Sequence, residues 1–398
     1  MKSISASWIF PVSSPPVRNG IVTIEDDGTV VSVSDPSIAH HPSPIIHHNG
    51  IIVPGFVNTH CHLELSHMRG AVREHTGMAG FIGDIVKARK GFEEEEILAA
   101  IGAAESEMID NGIVAVGDIS NTDHSFVQKA KGNIYYHTFI EVFDLDPANS
   151  NAEIIKAKKL QSSIVNHRSS IVPHAPYSVT PDLFLLIAQL KQEITTIHNQ
   201  ESKAENELFS KKSGSLYDRF SEMGNLLEWL EPSGKNSIRS VLPFLLQHKK
   251  IQLVHNTFTS KKDLAWAQAF VSDPVPGGIQ PEIYWCTCPN ANLYIEKKLP
   301  DYPMFISTNA KMTIGTDSYA SNHSLSILDE MKTIQKHFPQ IGTETLLKWA
   351  TFNGAEFLGI EKSFGSIEKG KKPGLVLIEG VDPEKLILAK NCRVKKIA

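Results

Sequence analysis

The sequence has few cysteines and no apolar stretch long enough to cross a bilayer. Its four cysteines, Cys61, Cys286, Cys288 and Cys392, form neither a C-x-x-C pair nor a dense disulfide pattern, so we expect reduced thiols. The apolar patch at residues 8–10 is too short for the hydrophobic region of a signal peptide. These absences argue against a disulfide scaffold and a membrane-spanning protein, and they lead us to expect a cytoplasmic protein.

The sequence also lacks an excess of positive charge. Its formal net charge is −5, and its lysines are scattered or lie in short helical runs. Nucleic-acid-binding proteins usually carry a basic face, so we expect neither a nucleic-acid partner nor a membrane surface, but a small-molecule substrate. The hydrophobic fraction of 41% and the charged fraction of 21% are those of an ordinary globular protein.

Both ends of the chain show the patterns of short antiparallel strands. Near the N-terminus, "GIVTIEDDGTVVSVSD" alternates apolar and polar residues around a turn at Asp27-Gly28. Near the C-terminus, "FGSIEKGKKPGLVLIEG" and "RVKKIA" have the same character. Two terminal strand sets pair most economically with each other, so we expect residues 1–52 and 363–398 to form one small β-sandwich domain.

Between these ends, short apolar strands alternate with helical periodicity. There are eight strand candidates, and helical segments fall near residues 94–110, 150–166, 181–191, 261–271 and 325–337. This alternation predicts an α/β protein with a (β/α)₈ TIM-type barrel over residues 53–362. The polar helical segment 201–237 is longer than a barrel helix requires, and we interpret it as a lid or an extra helical pair over the active face.

In a TIM barrel, functional side chains stand at the C-terminal ends of the strands. The first apolar run of the barrel ends in His60-Cys61-His62, and side chains that are two residues apart on a strand point to the same face. Both imidazoles can therefore reach one metal ion. Two other histidine pairs, at residues 40–41 and 47–48, are predicted to lie on solvated loops.

Titratable residues also end three later strand candidates. His198 ends the fifth and is followed closely by Glu201, His255 ends the sixth, and Asp317 ends the eighth. Taken singly, each could be a hydrogen-bonded core histidine or a capping aspartate. Their recurrence in strand order favours a metal site instead, because imidazoles with one carboxylate suit Zn²⁺ or a similar divalent ion.

The segments that carry these residues resemble the successive motifs of a known superfamily. They are "PGFVNTHCHLELS", "HAPYSVT", "HNQES", "LVHN", "CPNANL" and "GTDSYASN". Together they are similar to the amidohydrolase superfamily, and most closely to its adenosine, S-adenosylhomocysteine, guanine and aminodeoxyfutalosine deaminase and chlorohydrolase branch. The resemblance covers nearly the whole chain and implies a deaminase that hydrolyses carbon–nitrogen bonds in adenine-type or related rings.

The resemblance also implies roles for individual residues. The metal-binding residues it implies are His60, His62, His198 and Asp317. They hold one divalent ion, expected to be Zn²⁺ with Fe²⁺ or Mn²⁺ as alternatives, which lowers the pKa of a bound water so that hydroxide attacks the ring. Asp317 takes the water proton, His255 orients the water, and Glu201 protonates the ring nitrogen and then the departing ammonia. No lysine ends the third or fourth strand candidate, where binuclear relatives have a bridging lysine, so we expect one metal.

Three further residues are predicted to bind substrate. His174, in "HAPYSVT", matches a substrate-contacting position of nucleoside-deaminating relatives, and the alternative for it is a purely structural histidine. Glu64, in "HCHLELS", resembles a variant found in aminodeoxyfutalosine-type deaminases. Arg89, with Arg69 or Arg73, is predicted to meet an anionic substrate group such as a carboxylate, and the alternative is a solvated helix face.

Two other functions remain open at this point. The same scaffold could dechlorinate a triazine-like ring or cleave an exocyclic amide, because the same hydroxide and acid would serve. A non-catalytic barrel is the second alternative, although such proteins typically lose ligands and this sequence retains the whole expected set. A homo-oligomer is compatible with the resemblance, since relatives are often dimers or larger.

Overall fold

The computed structural model describes residues 1–35, 45–89, 91–273 and 279–398. The strands are β1 (Lys2–Ile9), β2 (Val17–Arg18), β3 (Ile21–Ile24), β4 (Val30–Ser34), β5 (Ile45–Pro54), β6 (Phe56–Cys61), β7 (Ile113–Ser120), β8 (Tyr135–Val142), β9 (Arg168–Pro173), β10 (Ile194–Asn199), β11 (Lys250–His255), β12 (Glu282–Thr287), β13 (Lys311–Ile314), β14 (Leu375–Glu379) and β15 (Arg393–Lys396).

The helices cover most of the connections between strands. They are α1 (Gly77–Ala88), α2 (Glu94–Asp110), α3 (Phe126–Lys129), α4 (Ser150–Ser162), α5 (Pro181–Ala188), α6 (Lys203–Lys211), α7 (Ser215–Glu222), α8 (Ser237–Val241), α9 (Lys261–Ser272), α10 (Pro289–Glu296), α11 (Tyr302–Ser307), α12 (Ile327–His337), α13 (Thr343–Ala350) and α14 (Phe352–Leu358). Short 3₁₀ turns occupy Leu63–Met68, Pro147–Asn149, Pro176–Ser178 and Leu242–Leu245.

Eight parallel strands form the centre of the molecule, in agreement with the eight predicted strands. They lie in two sheets of four, in the orders β6-β7-β8-β9 and β10-β11-β12-β13. Most of these strands are almost entirely buried, as is usual for parallel strands that are covered on both faces. The described hydrogen-bond ladders make two sheets, and they do not make one closed barrel of eight strands.

The two sheets meet at both of their outer strands. Between β9 and β10, the backbone N–H of His198 donates to the carbonyl oxygen of His174 over 3.0 Å. Between β13 and β6, Cys61 and Asp317 form a parallel bridge, and the N–H of Thr316 donates to the carbonyl oxygen of His60 over 3.0 Å. The C-terminal ends of β9 and β10 therefore lie side by side, and so do those of β13 and β6.

The terminal strands form one seven-stranded sheet in the order β15-β14-β5-β1-β3-β4, with β2 on the edge of β1. The predicted pairing of the two chain ends is confirmed, because β14 pairs with β5 in antiparallel register. The predicted hairpin at Asp27-Gly28 is confirmed as well, since Gly28 has a φ of +85° between β3 and β4. The predicted β-sandwich is not confirmed, because the described terminal strands all belong to a single sheet.

The predicted helices are confirmed, with ends that differ by several residues. α2 and α9 match closely, whereas α4 ends at Ser162 and α5 at Ala188, before the predicted ends at 166 and 191. The segment 201–237 folds into α6, α7 and the start of α8. Of the two histidine pairs assigned to loops, residues 40–41 lie outside the described residues, and residues 47–48 belong to β5, so that the second assignment was wrong.

Local sequence explains where several helices begin. The Ser260 side chain accepts the N–H of Asp263, and the Asp263 side chain caps Ser260 in return, so α9 begins with a capping box. Thr180 caps α5 immediately before Pro181, whose fixed φ suits a first helical residue. In the part of the chain that the structure describes, no helix is long and apolar enough to cross a membrane.

Candidate metal centre and active site

Four strand ends bring together the predicted metal-binding and catalytic side chains. His60 lies at the end of β6, with His62 immediately after it, His198 lies in β10, His255 ends β11, and Asp317 follows β13. All five are buried, at 0–7% exposure. Residues far apart in sequence therefore share one interior cluster, as the strand-end pattern predicts.

The side chains in this cluster face a common point. The Nε2 atoms of His60 and His62 are 3.2 Å apart. Asp317 Oδ1 lies 3.4 Å from Nε2 of His62 and 3.8 Å from Nε2 of His60. The ring of His198 has its centroid 4.9 Å from that of His60. Because two ring-nitrogen lone pairs repel each other at 3.2 Å, either a proton or a cation must lie between them.

The hydrogen bonds of the cluster leave imidazole lone pairs free for a cation. His198 Nδ1 donates to the carbonyl oxygen of His174 over 2.7 Å, which leaves its Nε2 as the acceptor. His255 Nδ1 donates to Oδ1 of Asn292 over 2.9 Å, and its Nε2 has no hydrogen-bond partner among the described residues. Carbonyl or amide oxygens that fix the tautomer in this way are usual behind metal-binding histidines.

Burial keeps these imidazoles neutral. It lowers the pKa values of His60 and His62 well below their usual range, and the neighbouring imidazoles lower them further. Burial likewise lowers the pKa values of His198 and His255 to about 4. Neutral imidazoles with one carboxylate are the ligand set that Zn²⁺ and similar divalent ions prefer, so these residues fit the implied metal.

Asp317 is held against His60 by the backbone. Its N–H donates to the carbonyl oxygen of His60 over 3.1 Å, and its Oδ2 accepts the Ser321 hydroxyl over 2.6 Å. The chain can approach β6 this closely because Gly315 has no side chain: a Cβ there would lie 2.7 Å from Cβ of His60. Asp317 itself has a φ of +57°, an unfavourable conformation that recurs at functional sites.

Glu201 faces the same cluster. It is 5% exposed, and its Oε1 lies 3.6 Å from Nε2 of His255. Burial raises the pKa of Glu201 well above its usual range, and the negative charge of Asp317 raises it further. A carboxyl group in this environment holds its proton more firmly than an exposed glutamate does, which suits an acid.

A cavity of about 240 Å³ opens beside Glu201 and the histidines. It is lined by His62, Leu65, Met78, Phe81, Ile82, Ile85, Val86, Arg89, Asn121, Glu141, Phe143, Leu145, His174, Tyr177, Ser178, His198, Glu201, Phe220, Met223, Asp317 and Ser318. Apolar side chains from α1 and from the region of α7 form most of its outer wall. The lining combines these apolar side chains with His62, His198, Glu201 and Asp317, so the cavity suits a largely apolar ring with a reactive polar edge.

The predicted substrate-binding residues lie in different surroundings. His174 lines the cavity, and its Nδ1 is 2.6 Å from the Ser178 hydroxyl. Arg89 follows the last residue of α1 and lines the cavity rim with an exposed side chain. Glu64 is buried against the loop after β7, where its Oε2 accepts three hydrogen bonds, from the N–H groups of Asn121 and Thr122 and from the Thr122 hydroxyl.

The two further arginines that were candidates for the anionic group are engaged elsewhere. Arg73 makes a double ion pair with Asp84, at 2.8 and 2.9 Å. Arg69 stacks on Tyr319 and lies 3.6 Å from Glu107. The cavity lining includes Arg89 and neither of these two.

Glu141, near the end of β8, was not predicted as a site residue from the sequence. Its side chain is 3% exposed, its Oε2 accepts the side-chain amide of Asn121 over 3.3 Å, and its Oε1 lies 3.5 Å from Nδ1 of His198. Burial raises the pKa of Glu141 to about 8. The available signal was a carboxylate closing the apolar run "YYHTFIEV", the same strand-end rule that identified Asp317.

A buried ion pair lies next to the segment that carries His62, and it was also not predicted from the sequence. Lys129 pairs with Asp118, and both side chains are fully buried. The other oxygen of Asp118 accepts the backbone N–H of Leu63 over 2.8 Å. Since Leu63 follows His62 directly, this pair supports the segment that carries the second histidine.

Comparisons with known proteins identify relatives and solved structures that this chain resembles. A 5-methylthioadenosine/S-adenosylhomocysteine deaminase of Saccharophagus degradans is 22% identical, with 94% of this chain and 82% of the relative covered. The crystal structure of Helicobacter pylori aminofutalosine deaminase with methylthio-coformycin superposes with a TM-score of 0.78 at 21% identity, over 100% of both chains. That of the zinc-bound atrazine chlorohydrolase of Arthrobacter aurescens superposes with a TM-score of 0.74 at 16% identity, over 99% of this chain and 93% of the other.

These structural likenesses are below 25% identity and establish the fold alone. The family comparison is more extensive, since residues 51–397 match the amidohydrolase family, from β5 through the last strand of the terminal sheet. The match includes every strand end that contributes to the cluster. This chain belongs to the amidohydrolase family.

Proposed function

We propose that this protein is a metal-dependent aminohydrolase that removes an amino group, as ammonia, from an adenine-type or related heterocyclic ring. The observation that carries the proposal is the buried carboxyl group of Glu201, 3.6 Å from His255, at the inner end of a cavity that also reaches His62 and Asp317. Deamination of a ring needs an acid beside the water-activating group, and this cavity offers both.

His60, His62, His198 and Asp317 are the residues that would hold the metal ion. Zn²⁺ is the first choice because the donor set suits it and because a structural neighbour was crystallised with zinc, while Fe²⁺ and Mn²⁺ use similar ligands. When bound, such an ion lowers the pKa of water and makes hydroxide available at neutral pH.

Side chains of the protein accept and donate the protons of the reaction. The Asp317 carboxylate accepts a proton from the attacking water, and the free Nε2 of His255 accepts a hydrogen bond that orients that water. Glu201 gives its proton to the ring nitrogen, so that negative charge does not accumulate on the ring as the carbon–oxygen bond forms. Glu201 then takes up the proton of the added hydroxyl and passes it to the amino group, which leaves as ammonia. The ring keeps the oxygen as a carbonyl, and the proton that Asp317 accepted returns to Glu201.

The cavity wall selects the remainder of the substrate. Apolar side chains of α1, including Phe81, Ile82 and Ile85, would pack on an uncharged part of the molecule. Arg89 at the rim is free to pair with an anionic group, for example the carboxylate of an aminodeoxyfutalosine-like nucleoside. His174 would contact the ring, and Glu64 would contribute by holding Asn121 at the cavity wall.

We also propose that the chain forms two domains. Residues 53–362 form a (β/α)₈ barrel in which the two four-stranded sheets close on each other, supported by the hydrogen bonds between β9 and β10 and between β13 and β6. Residues 1–52 and 363–398 form the second domain. The four cysteines are free and buried, which suits the reducing conditions of the cytoplasm.

Ammonia release from zinc-loaded protein tests the proposal. The panel is adenosine, S-adenosylhomocysteine, methylthioadenosine, aminodeoxyfutalosine, guanine and cytosine, with Glu201→Gln as the control that keeps the size of the side chain but cannot donate the carboxyl proton. We expect ammonia from at least one adenine-bearing compound and loss of that activity in Glu201→Gln. Metal-loaded protein that releases no ammonia from any compound contradicts the proposal.

A chlorohydrolase is the second candidate, because a structural neighbour has that activity. The same cluster would replace ring chlorine by hydroxyl. Chloride release from a chlorotriazine, without ammonia release from the nucleoside panel, would select this function.

A further inference from the structure

The chain makes a sharp turn between the metal-binding strand β10 and Glu201. Gln200 has a φ of +45°, which is a left-handed conformation that glutamine rarely adopts. The turn leaves the backbone N–H groups of Gln200 and Glu201 buried beyond the last residue of the strand. Buried N–H groups need acceptors, and an uncompensated turn of this kind would not persist.

Glu205 supplies both acceptors. Its Oε1 accepts the N–H of Gln200 over 2.8 Å, and its Oε2 accepts the N–H of Glu201 over 3.2 Å. Glu205 is 0% exposed and stands in the first turn of α6, where Ser202 caps the helix. In an ordinary capping box, the carboxylate at this position returns to the N–H of the capping residue. Here it reaches past Ser202 to the two preceding residues.

A third donor fixes the carboxylate of Glu205 from the opposite side. The Ser237 hydroxyl, at the start of α8, donates to Oε1 of Glu205 over 2.5 Å. Ser237 ends the segment that begins with α6 and includes α7, and Phe220 of α7 lines the cavity. Glu205 therefore connects two parts of the structure. One is the turn that contains Glu201, and the other is the helical segment from α6 to the start of α8, where Glu205 lies near one end and contacts Ser237 at the other.

We propose that Glu205 is a positioning residue, which holds the Gln200–Glu201 turn so that the carboxyl group of Glu201 stays against His255. This inference rests on the proposed function, because it assigns Glu205 a role through the acid. The two carboxyl groups have different surroundings. Glu201 lies beside His255 and lines the cavity, whereas Glu205 is not among the lining residues, and its carboxylate accepts its described hydrogen bonds from backbone N–H groups and from Ser237.

Glu205→Gln is the informative substitution, because it preserves the size of the side chain but replaces one acceptor oxygen by an NH₂ group. We expect kcat to fall by about tenfold or more, as for a misplaced proton donor, while KM changes less than about twofold. Glu207→Gln is the matched control on the same helix, where Glu207 makes an exposed pair with Lys203 at 3.1 Å. This control should keep the wild-type kcat and KM.

A double substitution separates positioning from a general structural role. If Glu205 acts through Glu201, adding Glu205→Gln to Glu201→Gln lowers the residual rate no further. If it lowers the rate of Glu201→Gln by the same factor as in the wild-type protein, the positioning role is wrong. Should Glu205→Gln fail to fold, Ser237→Ala, which removes one of the three donors, serves in its place with a smaller expected loss of kcat.

A crystal structure of zinc-loaded Glu205→Gln tests the inference without any activity measurement. We expect the distance from Glu201 Oε1 to His255 Nε2 to lengthen beyond 3.6 Å while His60 and His198 keep their positions. An unchanged turn and an unchanged Glu201 would overturn the inference. If the wild-type protein deaminates nothing, the proposed function fails, and this structure still decides whether Glu205 positions Glu201.

Discussion

Lys129→Met should destabilise this protein more than any single surface change. Lys129 and Asp118 are fully buried, and the Lys129 ammonium donates to Asp118, to the Ser120 hydroxyl over 2.9 Å and to the Thr138 hydroxyl over 3.1 Å. All three ammonium protons are therefore used. Methionine fills similar space, so the main effect is an unpaired carboxylate left in the interior.

The expected cost in free energy of unfolding is about 3–5 kcal/mol, which is typical when one partner of a buried pair is removed. Burial raises the pKa of Asp118. Uptake of a proton by this carboxyl group would therefore reduce the cost of leaving an unpaired charge in the interior. Removing the Lys129 ammonium takes away the positive charge that lowers this pKa, so the pKa of Asp118 rises further in the variant. The loss in free energy of unfolding that Lys129→Met causes should therefore be smallest in acid and should grow as the pH rises.

Urea unfolding at a fixed zinc concentration measures this cost, with two comparisons. Lys129→Met/Asp118→Asn removes the leftover charge and should recover most of the loss. Lys156→Met breaks only a surface pair, 3.6 Å from Glu153 on α4, and should cost less than about 1 kcal/mol. A cost below about 1 kcal/mol for Lys129→Met, or a double variant as unstable as the single one, would refute the reasoning.

Three further predictions concern the metal, one glycine and one carboxyl group. Removing the metal with a chelator should lower the melting temperature, and restoring zinc should reverse the change, because a ligand bound at a thousand times its Kd adds about 4 kcal/mol. Gly315→Ala should reduce the zinc content measured per chain, since the new Cβ meets the His60 carbonyl oxygen at 2.8 Å, whereas Gly342→Ala, with nothing within 4 Å, should not. Burial raises the pKa of Glu330 from 4.5 to about 8 in the folded protein. The stability that protonated Glu330 contributes is therefore fully present below the pKa of the unfolded chain, and it is lost as the pH rises through 8. The free energy of unfolding of the wild type relative to Glu330→Gln, followed by urea titration, should accordingly fall between about pH 5 and 9; a constant difference would contradict this.

The meeting of the site histidines with Asp317 was predictable because its signal is local. His60 and His62 stand two residues apart at the end of an apolar run, and His198, His255 and Asp317 each end another such run. Parallel strands in a TIM-type fold place those ends on one face, so strand order alone predicts that the side chains meet. The tautomers of His198 and His255 could not be predicted in this way. They depend on hydrogen bonds to the His174 carbonyl group and to Asn292, which no sequence pattern reveals.

The missed features depend on tertiary contacts. Lys129 looks like an ordinary helix residue until the neighbouring strand brings Asp118 to it, and Glu205 looks like an ordinary residue of a first helical turn until the Gln200 turn folds back over it. The terminal strands show the same limit. Alternating residues predict half-buried strands, but the pairing of β14 with β5 in one sheet, and not in a sandwich, is decided by contacts between distant segments.

The most direct test of the central claim is to follow one adenine-bearing nucleoside from the panel by mass spectrometry during incubation with zinc-loaded protein in oxygen-18 water. We expect a product in which the ring amino group is replaced by a single labelled oxygen, with one ammonia released per product and only a slow residual turnover by Glu201→Gln. A product without labelled oxygen, or undiminished turnover by Glu201→Gln, would contradict hydrolytic deamination through Glu201 at this site.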